Sequence, residues 1–144
     1  GTKQEMIEKL KSKGFTYNQQ EDALQGEFNG EEVLIQVQTQ NNKVWRLFIM
    51  DTEFRSETQI KLRFNKLVGQ FENNSKYTPY KESQTIDENE DISYEISVNN
   101  KQYDAIFFSE TGGKVWFMIG TYEMNYFIAM FYESPKNEAD GSDL

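Results

Sequence analysis

Apolar positions recur along this chain with two different periods. Near the start, Met6, Ile7 and Leu10 fall at i, i+1 and i+4 within an otherwise charged segment, residues 2–13. That spacing predicts a short helix with one apolar stripe, and Gly14 stands where a C-terminal cap glycine belongs. A second helix is better marked. Ser56 and Gln59 form a capping-box pattern, and Ile60, Phe64, Leu67, Val68 and Phe71 recur at i, i+4, i+7, i+8 and i+11. It should end near Asn73 and Asn74.

The remaining regular segments read as strands. Three are expected between the helices, over residues 24–28, 32–40 and 44–50, joined by Asn29-Gly30 and Asn41-Asn42. Asn-Gly is a strong hairpin signal because both central residues must take positive φ. After a polar stretch, 73–90, four more are expected over 92–98, 102–109, 114–120 and 126–133. Their turns fall at Asn99-Asn100 (with Lys101, in a bulged three-residue turn), Gly112-Gly113 and Glu123-Met124. This order predicts an α+β fold: an antiparallel sheet of about seven strands with two helices packed on one face. It forms a single domain over residues 1–133, followed by a polar tail over 134–144. Lys43-Val44-Trp45 recurs as Lys114-Val115-Trp116, an offset of 114 − 43 = 71. A tandem α-β-β-β repeat with halves of about 1–53 and 54–133 is therefore expected.

Two-residue turns fix registers, and registers fix faces. A turn at Asn41-Asn42 sets Gln38 opposite Trp45 and Ile35 opposite Phe48. One at Gly112-Gly113 sets Phe107 opposite Met118 and Phe108 opposite Phe117. One at Glu123-Met124 sets Phe131 beside Trp116. The helix-side face then carries Val33, Ile35, Val37, Phe48, Ile92, Ile96, Ile106, Phe108, Phe117, Ile119 and Met130. The opposite face carries Trp45, Leu47, Ile49, Phe107, Trp116, Met118, Phe127 and Phe131. Arg46 falls on the helix side between Val44 and Phe48, where it is expected either to snorkel at the sheet's edge or to pair with a carboxylate such as Glu110 or Asp104. Two helices cannot cover two apolar faces. The second face needs sheet curvature, a covering loop such as 73–91, a ligand or a partner.

Composition changes the picture by exclusion. The 144 residues hold 15 Lys and Arg against 24 Asp and Glu, a net charge of −9, with mean hydropathy −0.78. Such a charge disfavours nucleic acid and anionic membrane surfaces. With no Cys and no His, disulfides, thiol nucleophiles, His-based triads and the usual zinc, haem and iron–sulfur ligands are excluded. No apolar run approaches the ~18 residues of a membrane span, and no segment reads as a signal peptide. Aromatics are nevertheless 15% of the chain, so the core is built from few, large side chains.

Candidate chemistry is sparse. The acidic run Asp87-Glu88-Asn89-Glu90-Asp91 begins like a calcium loop, but Ile92 and Val98 occupy the sixth and twelfth places that require Gly and Glu. It is expected to be a solvated loop. Gly112-Gly113 lacks the following helix and Lys-Ser/Thr of a phosphate cradle, and no motif marks a catalytic carboxylate pair. No enzyme activity, cofactor or metal is expected. The residues singled out are Trp45, Leu47, Phe107, Trp116, Met118 and Phe131. They are either core or an aromatic surface for another protein (a second copy included), with a small molecule or glycan as the alternative.

Lys13-Gly14-Phe15, then Leu24-Gln25-Gly26-Glu27-Phe28-Asn29-Gly30, the strand at 44–50 and the helix at 56–71 resemble a family of small exported or lipoprotein α+β proteins of gut Bacteroidetes. The resemblance covers about two-thirds of the chain, and its motifs are structural. Where that family has Tyr-Gly after the second helix, this chain has Phe71-Glu72-Asn73-Asn74. The element order is also similar to the tandem repeats of the beta-lactamase-inhibitor-protein-like group. The resemblance implies an exported, extracytoplasmic protein; it implies no catalytic residue. The expected function is a non-enzymatic exported module that binds another protein through its aromatic sheet face.

Overall fold

A computed structural model of the chain describes residues 1–134; the expected polar tail lies, from 135 on, outside the described residues. The first helix, α1 (Lys3–Ser12), starts at Thr2, whose hydroxyl accepts from the Glu5 amide while Glu5 caps back. It ends in a Schellman turn: Gly14 at φ +103° donates to the Lys11 carbonyl and Phe15 to that of Leu10. Strands β1 (Thr16–Asn18), β2 (Ala23–Phe28), β3 (Glu31–Gln40) and β4 (Lys43–Asp51) follow. Asn29-Gly30 and Asn41-Asn42 are both two-residue turns with positive φ throughout, as their sequences demand.

The second helix, α2 (Glu57–Glu72), carries the capping box of Ser56 and Gln59. After it come β5 (Tyr77–Pro79), α3 (Ile92–Asn99), β6 (Asp104–Ser109), β7 (Lys114–Tyr122) and β8 (Asn125–Glu133). The architecture is α+β, with eight antiparallel strands in the order β1-β2-β3-β4-β8-β7-β6-β5. The sheet is thus larger than seven strands, because β1 and β5, three residues each, carry no hydrophobic pattern of their own. The 71-residue repeat is not established. Its offset lays β4 on β7, yet β4 lies fourth from one edge of the sheet and β7 third from the other.

One expected strand is a helix. Residues 92–98 alternate apolar and polar like a strand, but Asp91 accepts from the Tyr94 amide and starts a helical turn. Asn100, at φ 52°, closes the helix with its left-handed conformation rather than forming a hairpin. Of α3 only Ile92 is fully buried, with half-buried Ile96 packed against the same core.

The core lies on one side of the sheet. Met6, Ile7 and Leu10 of α1 and Ile60, Phe64, Leu67, Val68 and Phe71 of α2 join Val33, Ile35, Val37, Leu47, Ile49, Phe107, Phe117 and Met130 in one cluster. Each such side chain contributes about 1.5–3 kcal/mol by leaving water. The Phe71 ring stacks on Phe107 and Phe117 at 5.3 and 5.8 Å. An ionic group closes one end. Asp51, buried at the end of β4, accepts from Arg55 Nη1 at 2.9 Å and from Arg63 of α2 at 3.1 and 3.2 Å. Arg55 also reaches Glu31 and Glu53.

Candidate functional site

Two register changes decide which side chains face away from the helices. A bulge between Gln38 and Thr39 leaves Gln38 opposite Arg46 rather than Trp45. One extra residue inverts every later side chain of β4. Leu47 and Ile49 therefore point into the core, Leu47 being 1% exposed, while Arg46 and Phe48 point outward. Between β6 and β7, the expected two-residue turn is a longer one. Ser109 donates to the Gly113 carbonyl, Gly112 alone takes positive φ, and Phe107 pairs with Val115. The shift is odd, so Phe107, at 0% exposure, is core while Ile106 and Phe108 face out. The Glu123-Met124 turn has the expected register, with Trp116 opposite Phe131.

Of the six residues singled out, Trp45, Trp116, Met118 and Phe131 thus share the open face; Leu47 and Phe107 do not. None of the four is fully buried. The 73–91 connection does not cover them. Ile86 exchanges two hydrogen bonds with Asn65 of α2, and Lys61 of α2 donates to the carbonyls of Glu88 and Glu90, so the connection runs on the helix side.

The pairings set this face out in rows across five strands, β3-β4-β8-β7-β6. The aromatic row is Gln36, Phe48, Phe131, Trp116 and Ile106. Trp116 stacks on Phe131 at 4.2 Å and 15°, and Phe48 meets the same ring at 4.9 Å. On one side lies a polar row, Gln38, Arg46, Glu133, Lys114 and Phe108; on the other, Leu34, Met50, Ala129, Met118 and Asp104. Arg46 donates to Gln38 Oε1 at 2.6 Å. Its guanidinium lies 4.5 Å from the Trp45 ring centre and 4.8 Å from that of Phe131. Trp116 Nε1 donates to Glu133 at 2.7 Å. Beyond Met118, the Phe127 ring lies over Gly120, so closely that a Cβ there would meet it at 2.3 Å, and Phe54 packs on Phe127 and Tyr122. Phe54, Tyr80, Phe108 and Tyr122 are exposed.

Sequence reasoning missed Arg46, Phe48, Met50, Ile106, Phe108 and Glu133. One signal was available: a charged Arg46 between Val44 and Phe48 on a supposedly buried face is itself a sign of broken alternation.

The acidic run is structural. Asp91 caps α3, and Glu90 accepts from Lys101 and, at 2.7 Å, from Tyr103. Donation from Lys101 holds the Glu90 carboxyl below its usual range, while burial and the bond to Glu90 push the Tyr103 phenol up. Beside this run, a cavity of about 320 Å³ is lined by Phe64, Lys81, Gln84, Glu90, Lys101 and Tyr103 among others. Its polar lining serves the fold: Gln84 pairs both its amide atoms with the Ile106 backbone. Among the described residues no group of three or more acidic side chains is placed to hold a metal, and no helix is long and apolar enough to cross a membrane. Neither family models, nor curated proteins, nor solved structures match this chain.

Proposed function

We propose that the chain is a non-enzymatic binding module, acting outside the cytoplasm, that holds another protein against its open sheet face. One observation carries this: the cross-strand stack of Phe48, Phe131 and Trp116. Rings stacked between neighbouring strands turn their faces to one another and their edges to solvent. Sugar recognition needs a free ring face to stack upon. Ring edges set beside Met50 and Met118 instead suit the side chains of a protein, as aromatic and methionine contacts do at interface centres. The extracytoplasmic placement rests on the sequence resemblance alone.

The test is photo-crosslinking in an extract of the source cells. A benzophenone side chain at Met118 should give a discrete polypeptide adduct, and the same probe at Leu62, which is exposed on α2, should not. Absence of an adduct at Met118, or equal labelling from both positions, would refute the proposal. The glycan alternative is read separately. Trp45 and Trp116 are the chain's two tryptophans, so intrinsic emission reports this face. Soluble oligosaccharides at millimolar concentration should leave it unmoved; a saturable shift abolished by Trp116→Ala would favour a glycan instead.

A further inference from the structure

We infer that the partner is a second copy of this chain, the two open faces packing sheet on sheet to form a second core. This rests on the protein-contact reading above and adds to it the identity of the partner.

The first support is charge. The chain carries −9, and two copies brought together at random surfaces would repel. On the five strands of the open face, segments 34–38, 46–50, 127–133, 114–120 and 104–108 hold Arg46 and Lys114 against Glu133 and Asp104. Their sum is +2 − 2 = 0 over these central segments, and the Glu27–Glu32 pair of β2 and β3 adds negative charge only at the margin of the face. The polar row also alternates in sign across neighbouring strands: Arg46, Glu133, Lys114. A copy turned about a two-fold axis offers both signs to both signs, as an isologous interface requires.

The second support is size. Five strands at ~4.8 Å spacing span about 24 Å, and the six steps from Phe127 to Glu133 at ~3.3 Å each span about 20 Å. The flat footprint is roughly 500 Å², so that two copies would remove about 1,000 Å² from water, the lower bound for a specific interface. Exposed Phe54, Tyr80 and Tyr122 extend it at the rim. The third support is shape: a sheet face without helices meets another such face at about 10 Å separation, side chains interdigitating, the packing of a β-sandwich.

Sedimentation velocity of the purified chain over a concentration series tests this. Wild type should sediment as a reversible dimer. Met118→Glu, which sets a carboxylate at the centre of the face, should weaken dimerisation at least ~30-fold with an unchanged circular dichroism spectrum. Should Met118→Glu fail to fold, Phe108→Glu, at a residue already 42% exposed, carries the same comparison. A wild type that stays monomeric at hundreds of micromolar overturns self-pairing, and so does a dimer that survives the substitution. In the monomeric case bis-ANS judges the wider reading separately. Dye bound by wild type and lost in Met118→Glu keeps a protein-contact face for a different partner; equal dye binding by both removes that too.

Discussion

Asp51 offers the sharpest energetic test of this structure. Its carboxylate, 1% exposed, is the partner of Arg63, 5% exposed, through two hydrogen bonds, and of Arg55 through a third. Replacing it by Asn keeps the shape and removes the charge. Arg55 retains Glu31 and Glu53. Arg63 is left with a neutral amide in a buried site, and breaking one side of a buried pair costs about 3–5 kcal/mol. Against a total of about 5–15 kcal/mol this is a large share. With a urea dependence of about 1–3 kcal/mol per molar, the midpoint should fall by about 2 M at unchanged slope, read by far-ultraviolet circular dichroism. Arg63→Met, whose apolar stem fills the same space, should cost less. The double variant should then cost less than the sum of the singles, because the second change removes the stranded charge. A loss under 1 kcal/mol for Asp51→Asn, or strict additivity, would mean that the cluster does not hold α2 on the sheet.

Two further outcomes are expected. On α2, Phe64→Ala and Leu67→Ala should each cost about 2–5 kcal/mol and exposed Lys66→Ala within about 0.5; Lys61→Ala should cost more than Lys66→Ala because Lys61 ties down the 88–90 loop, and equal tolerance at all four positions would refute this packing. The pH dependence follows from two groups. Donation from Lys3 holds Asp22 below its usual range, so its contribution is present above pH ~4 and lost as pH falls, whereas burial raises Tyr103, whose contribution is present below pH ~10 and lost as pH climbs. Melting-temperature differences between wild type and Asp22→Asn should shrink in acid, and those for Tyr103→Phe in alkali; differences independent of pH would contradict both.

The sequence carried the elements whose chemistry is local. Asn29-Gly30, Asn41-Asn42 and Glu123-Met124 form the turns expected of them, Ser56 and Gln59 form the expected capping box, and the α1 and α2 stripes bury what their spacing says. What it did not carry is set at longer range. The bulge at Gln38 and Thr39 depends on how β4 meets both β3 and β8, and the three-residue shift in the β6–β7 loop follows from Gly112 taking the left-handed conformation that Gly113 was expected to share. Both displacements are odd, so Leu47 and Phe107 exchanged places with Phe48 and Phe108 although β4 and β6 themselves were expected nearly where they lie. The segment Ile92–Asn99 misled in the opposite sense: its alternation is a strand's, and a cap at Asp91 overrides it.

The pairing of β4 with β8 at the middle of the sheet has a consequence for how the chain reaches its native state. Phe48 and Phe131 are neighbours, but 131 − 48 = 83 residues separate them. Contacts so distant in sequence close late, because loop entropy must be overcome before they form. During synthesis the first four strands and α1 are complete while the inner edge of β4 is still unpaired, and they stay so until β8 emerges. A nascent chain stalled short of residue 125 would present the unpaired edges of β4 and β7 together with half a core, the combination that makes folding intermediates aggregate. The last described strand is thus the keystone of the sheet, and solubility during biosynthesis depends on how quickly it arrives.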